Sequence, residues 1–178
     1  KQSTPIKTWV LLHPFKAKNA YAISLEAQKI TDSILTTTLL DKDASGGQVD
    51  AFRHAFWMAT LQIEIGKCAA KSLGKAHERD NNRTFKKRKL ENGILPDKAS
   101  KKMDLYNNKV GLTFSKKGDS ISIKSLIYKI SNSILRGDLK VIKKDSLGNY
   151  LTCANEIIPS KELQHKWKNN KCLVSSKK

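Results

Sequence analysis

The chain has 178 residues, 39% of them hydrophobic, enough for one sizeable core. No run of about 18 apolar residues occurs, which removes a membrane-spanning helix. The net charge of +18 is uneven: residues 1–82 hold 11 Lys/Arg against 8 Asp/Glu, and residues 83–178 hold 23 against 8. A field of that sign, concentrated in the second half, points to an anionic partner, either a polymer such as nucleic acid or an anionic membrane surface.

In chain order, Pro14 opens a predicted helix, PFKAKNAYAISLEAQKITDSIL, with apolar spacing at Ala20, Ile23, Ala27, Ile30 and Ile34. A second helix is expected over Gln48–Ile65, ended by Gly66, and a third over Lys67–Arg79, fraying into Asp80, Asn81 and Asn82. Residues 83–102 carry eight basic side chains and read as a basic connector or lid, with Lys86, Lys87, Arg88 and Lys89 as candidate substrate-binding residues. A fourth helix is expected from Asp97 or Ser100 to Leu112. Ile123, Ile127, Ile130 and Ile134 share a helical face in Ser120–Leu135, although the β-branched content also suits a strand. A hairpin is expected around Ser146–Asn149, followed by a basic tail after Pro159.

The predicted fold is therefore mainly α, a compact array of four or five helices with at most a small C-terminal hairpin. Its helical domain covers 1–138, and 139–178 is a basic extension. Among the three cysteines, Cys153 and Cys172 could bridge in an exported protein, while Cys68 reads as a small buried thiol.

The chemistry concentrates in VDAFRHAFW. At 100° per residue Val49, Phe52, Phe56, Ala59 and Ile63 form one stripe, and Asp50, His54, Trp57, Leu61 and Ile65 a second, equally apolar column, with Arg53 between them. The fourth helix repeats the pattern: Asp104, Asn108 and Gly111 run beside Met103, Tyr106 and Val110, with Asn107 between. His77 occupies an inward column of the third helix, and Glu78 faces away in an ideal helix but could turn in at its end. If the helices pack together, Asp50, His54, His77, Asp104 and Asn108 converge as candidate ligands of a divalent metal ion. Arg53, His54, His77 and Glu78 are the candidate catalytic groups, supported by Trp57, Asn107 and Gly111. A metal-bound water is one expected nucleophile, and two-histidine phosphodiester chemistry without a metal is another. His13 reads as a helix-entry residue and His165 as a surface one, while Trp9 and Trp167 carry no readable message.

DAFRHAFW, then AHE at Ala76–Glu78, then MDLYNNKVG at Met103–Gly111, with HPFKAKNAY upstream, resemble an uncharacterised bacterial domain family. Its pattern is D-A-[FW]-R-H-A-x-W, A-H-E and M-D-L-x-N-N-x-x-G, and it occurs in exported, wall-associated and polymorphic-toxin-like proteins. The match covers roughly residues 12 to 112, and the basic insertion and everything after Gly111 look specific to this chain. It implies signature positions at Asp50, Arg53, His54, Trp57, His77, Glu78, Asp104, Asn107, Asn108 and Gly111, and an exported or envelope-associated, toxin-like role with a possible inhibitor (immunity) partner. FRHAF is also similar to the catalytic helix of small bacterial phospholipases A2, but Ala55 stands where their calcium-binding Asp would be.

These readings converge on a small exported hydrolase of an anionic polymer, with a nucleic-acid phosphodiester slightly ahead. The alternatives are an esterase on anionic membranes, a wall-polymer glycosidase with Glu78 as acid, and a non-enzymatic basic binding domain whose polar cluster only fixes the core.

Overall fold

The computed structural model describes residues 4–87, 95–164 and 166–177. The elements run α1 (Thr4–Leu12), α2 (Pro14–Leu35), α3 (Gln48–Ile65), α4 (Lys67–Lys86), α5 (Lys98–Gly111), α6 (Ile123–Arg136), β1 (Lys140–Ile142), α7 (Ser160–Leu163) and β2 (Leu173–Ser175). The fold is mainly helical, as predicted, with a small two-stranded antiparallel sheet.

The middle helix, α3, is buried over most of its surface, with Arg53, Trp57, Thr60 and Glu64 forming its more open column. Val49, Ala51, Phe52, Ala55, Ala59 and Leu61 are fully buried, so this helix is the axis of the array. One core cluster joins Phe52 and Phe56 to Ile34 of α2, Phe114, and Leu126, Ile130 and Ile134 of α6. A second joins Met58 and Leu61 to Trp9 of α1, Ile23 of α2, and Ala70 and Leu73 of α4. Asp50 and His54 lie off the open column of α3 and are carried inside with the apolar residues.

The structure departs from the sequence reading in several places. TPIKTWVLL, for which no helix is predicted, forms α1; Trp9 buries against α4 and its indole N–H donates to Ser72 Oγ at 2.8 Å. His13 does stand at the entry to α2, with its Nδ1 donating to Trp9 O at 3.0 Å. The third helix runs to Lys86 instead of stopping at Arg79, because Glu78 and Asn81 are buried and Phe85 meets Trp167 at 5.2 Å. So Lys86 and Lys87 are an exposed helix end rather than part of a connector; Arg88 and Lys89 lie outside the described residues, as does His165. Ser120–Leu135 is helical: the Ser122 side chain caps α6 at Ser125 N, and Gly137 ends it in the left-handed region at φ 95°. Cys68 is exposed, not buried, on the outer face of α4.

The expected C-terminal hairpin is reduced to single bridges, Lys144 with Tyr150 and Leu151 with Ile157. The ladder joins β1 to β2 near the end of the chain, with Val141 opposite Val174. A disulfide between Cys153 and Cys172 closes the extension. Few apolar side chains there are buried, so the cross-link should matter: replacing both cysteines by Ser is expected to cost about 3 kcal/mol in urea unfolding, and reductant should reproduce the loss in the native chain.

Candidate functional site

Three helices deliver the site. Asp50, Arg53, His54 and Trp57 come from α3, His77 and Glu78 from α4, Asp104, Asn107 and Asn108 from α5. The α3–α5 crossing that joins them is close because Gly111 lies on the backbone of Ala55: a Cβ at Gly111 would stand 2.5 Å from Ala55 O. Gly74 of α4 leaves room for Asn108 Nδ2 in the same way.

At the centre is His54, 3 % exposed. Its Nδ1 faces Asn108 Oδ1 at 3.1 Å. An amide oxygen only accepts, so Nδ1 carries hydrogen, and Nε2 is the nitrogen turned toward the carboxylates. Nε2 lies 3.2 Å from Asp104 Oδ1 and 3.6 Å from Asp50 Oδ1. A neutral imidazole would aim its lone pair at two negative oxygens there, so the arrangement calls for a positive charge: a proton on the ring, or a cation among the three. Asp50, His54 and Asp104 each offer one ligand atom, all within 4.8 Å of one another, and this buried group could hold a metal ion.

Arg53 bears on the same point. Its Nη2 meets Asp50 Oδ1 at 2.5 Å and lies 3.4 Å from His54 Nε2, while Gly46 N–H donates to Asp50 Oδ2 at 2.7 Å. Asp50 is thus held from two sides.

The other expected residues fall around this centre. Asn108 sits behind the imidazole, where it sets the ring's orientation, rather than among the carboxylates. The ring of His77 is 6.4 Å from that of His54 and edge-on to Trp57 at 5.6 Å, so it stands beside the Asp–His–Asp group rather than within it. Asn107 faces the extension: its side chain bonds both the N–H and the C=O of Lys140, each at 2.9 Å, and so holds β1. Glu78 is 1 % exposed and accepts from Asn81 Nδ2 at 3.4 Å; it is not among the residues lining either cavity described next.

Two cavities meet at Arg53. The larger, about 250 Å³, lies between α1, α2, α3 and α4. Ile6, Trp9, Val10, Ala20, Trp57 and Leu73 give it apolar walls, and Arg53, His54 and His77 supply polar atoms. The smaller, about 40 Å³, is polar and takes in Asp50, Arg53, Asp97, Asp104, Tyr150 and Lys171. Lys171 pairs with Asp97 in its wall at 2.7 Å, and Lys144 pairs with Asp43 outside it at 2.5 Å.

Sequence reasoning missed Tyr150, Lys171 and the walls supplied by Ile6, Trp9 and Val10. Lys171 also lies over the Tyr150 ring, 3.7 Å from its centroid. Nothing local marks a tail lysine as a neighbour of Asp97. Burial, and then the carboxylates of Asp43, Asp97 and Asp50, push the Tyr150 hydroxyl up to about 12. The native state therefore holds this proton more tightly than the unfolded chain, whose tyrosines titrate near ~10. Its contribution to stability is complete below that value and is lost as pH rises toward 12. Urea midpoints between these pH values should fall for the native chain and fall less for Tyr150→Phe.

No curated protein and no solved structure matches the chain. A family model does match, from residue 7 to residue 138. The match continues past Gly111, where the resemblance read from the motifs ends, and stops before β1 and the rest of the extension. The three helices that build the site all fall inside it, and the chain belongs to the family described as a domain of unknown function, DUF6973.

Proposed function

We propose that this protein is a hydrolase that uses Asp50, His54 and Asp104 to hold a divalent cation and cleaves an anionic ester whose apolar part lies in the larger cavity. The observation that carries the proposal is the buried Asp–His–Asp group lying beside an apolar cavity, with Arg53 and His54 lining it. A cation in such a group supplies an activated water at neutral pH and polarises the ester oxygen. A mixed carboxylate and imidazole donor set suits Zn²⁺ or Mn²⁺ better than Ca²⁺.

The protein's own groups then take distinct parts. Both ring nitrogens of His54 are engaged, so it serves as a ligand and not as a mobile base. His77, which lines the cavity, is the group placed to move a proton. Arg53 lines both cavities and offers its guanidinium to the negative charge that develops on the substrate.

The substrate reading shifts with the cavity. Charge alone put nucleic acid slightly ahead, but walls of Ile6, Trp9, Val10 and Leu73 suit an alkyl or acyl group better than a polar-edged base. The Cys153–Cys172 bridge supports an oxidising compartment, hence export, and the resemblance to toxin-like proteins extends the reading to an effector with a cognate inhibitor.

The test is calorimetric titration of the metal-stripped chain with Mn²⁺ and Zn²⁺, alongside hydrolysis of p-nitrophenyl esters and of a bis(nitrophenyl) phosphate. Stoichiometric binding with metal-dependent turnover is expected. Absence of both would leave the polar cluster as core structure. Asn108→Ala should weaken the metal about 10- to 100-fold through loss of ring orientation, with ligands intact.

A further inference from the structure

The corner where α1 turns into α2 holds large apolar side chains in water. Leu11 is 80 % exposed, Leu12 73 % and Phe15 97 %, all within five residues of one another. Tyr21 and Leu25 are also exposed farther along α2. A gathered patch of this kind on a folded domain marks a contact surface.

Its charge and position say what it contacts. From Thr4 to Ala22 the chain carries Lys7, Lys16 and Lys18 and no Asp or Glu. A second copy seated there would set these lysines against one another across a two-fold axis, and a polynucleotide would gain nothing from the two leucines and the phenylalanine. A bilayer interface uses both features: apolar side chains sink to the headgroup–acyl boundary while lysines meet anionic headgroups. The corner also adjoins the larger cavity, since Val10 precedes Leu11, and Ala17 and Tyr21 line that cavity from the first turns of α2. At about 250 Å³ the cavity exceeds the ~150 Å³ apolar cavity that takes up benzene.

We propose that the α1–α2 corner docks on anionic phospholipid bilayers through Leu11, Leu12 and Phe15, and that the adjoining cavity takes a lipid acyl chain. The docking half stands without the hydrolase reading; the acyl half names the substrate class of that site and rests on it. Arg53, His54 and His77 line the same cavity as Val10, Ala17 and Tyr21, so a lipid whose chain enters it would bring its ester linkage toward those polar groups.

The experiment is co-sedimentation of the full, disulfide-bonded chain with vesicles of phosphatidylglycerol and phosphatidylcholine or of phosphatidylcholine alone. Binding to the anionic vesicles is expected, weaker at high salt and on the neutral ones. The L11S/L12S/F15S variant should partition at least about tenfold less, with an unchanged circular-dichroism spectrum, because fully exposed side chains contribute little to the core. Phe15→Trp should show fluorescence quenched by brominated acyl chains, which reads insertion even if the triple variant folds poorly. Decanoate should bind by calorimetry, and Ala17→Phe should weaken it at least about tenfold by filling the cavity mouth. His54→Ala should dock as the native chain does but release no fatty acid; vesicle binding by the native chain without fatty-acid release would sink the hydrolase reading and leave docking intact. Equal partitioning of the triple variant, no vesicle binding at all, or a dimer that the triple variant dissolves would overturn the docking proposal. Absence of decanoate binding would overturn the acyl site.

Discussion

His54→Ala and Asp104→Asn are expected to reduce metal-dependent turnover by at least about 10³-fold, since groups that act as one unit are lost together. The first removes a donor, and the second a ligand's negative charge, from a group whose atoms lie within 4.8 Å of one another. Metal binding by calorimetry should disappear with the activity, while helical circular dichroism persists. The two substitutions also differ in their effect on stability, and loss of metal binding beside that difference separates ligation from mere core structure. Without a cation, His54 fills the space between Asp104 and the Asp50–Arg53 pair, so His54→Ala takes a buried polar neighbour from both carboxylates. That should cost about 3–5 kcal/mol. Asp104→Asn removes one of those charges and should cost much less. If the cluster only fixes the core, the denaturation midpoint will follow this order while metal binding and turnover, per folded molecule, stay where they were or were never there.

Gly111→Ala should be strongly damaging for a single added methyl. A Cβ there would lie 2.5 Å from Ala55 O and 2.8 Å from Ala55 Cα, both backbone atoms of the central helix, so no side chain can swing away to relieve it. Helix propensity pulls the other way, favouring Ala over Gly by about 1 kcal/mol at an interior position. Gly111 is the last residue of α5, which shrinks that gain. Overpacking of this kind costs about 1–3 kcal/mol, so steric separation of α3 and α5 wins. Because Asp104 rides on α5 and His54 on α3, the same displacement should also weaken metal binding. Gly118→Ala is the comparison: nothing lies within 4 Å of its Cβ, and its φ of +79° makes the expected loss one of backbone strain, about 1 kcal/mol, with metal binding untouched. Urea unfolding and calorimetry on the two variants check both statements.

Much of the site was legible because helical periodicity is a local property. Asp50 and His54 are four residues apart, and so are Asp104 and Asn108; each pair lies on an inward column whatever the helices pack against. That these columns would meet was an inference from their shared polarity in apolar surroundings, and Asp104 does stand against His54. Which atoms face which was beyond the pattern. Asn108 occupies one ring nitrogen and the carboxylates the other, and His77 stands 6.4 Å away on the Trp57 side. These depend on the crossing of α3 with α5 and α4, which Gly111 and Gly74 permit but do not specify.

The N-terminal and C-terminal parts were the least legible. Without a capping residue or strong periodicity, α1 becomes a helix because Trp9 finds a pocket on α4. In the extension, Lys171 reaches Asp97 across 74 residues of chain, and Lys144 reaches Asp43 across 101. Such pairings leave no trace in spacing, because they are made by whichever distant surfaces the packed helices leave facing each other.

By itself, then, the amino-acid sequence determined the helical character of the chain, the inward columns of α3 and α5, and the excess of positive charge in the second half, all consequences of residue order over a few turns. The tertiary structure decided that α3 is the buried axis, that Asp50, His54 and Asp104 form one group, and that an apolar cavity stands beside it while Leu11, Leu12 and Phe15 remain exposed. The physical reason is the same in each case: periodicity chooses a face, but only packing chooses what that face meets.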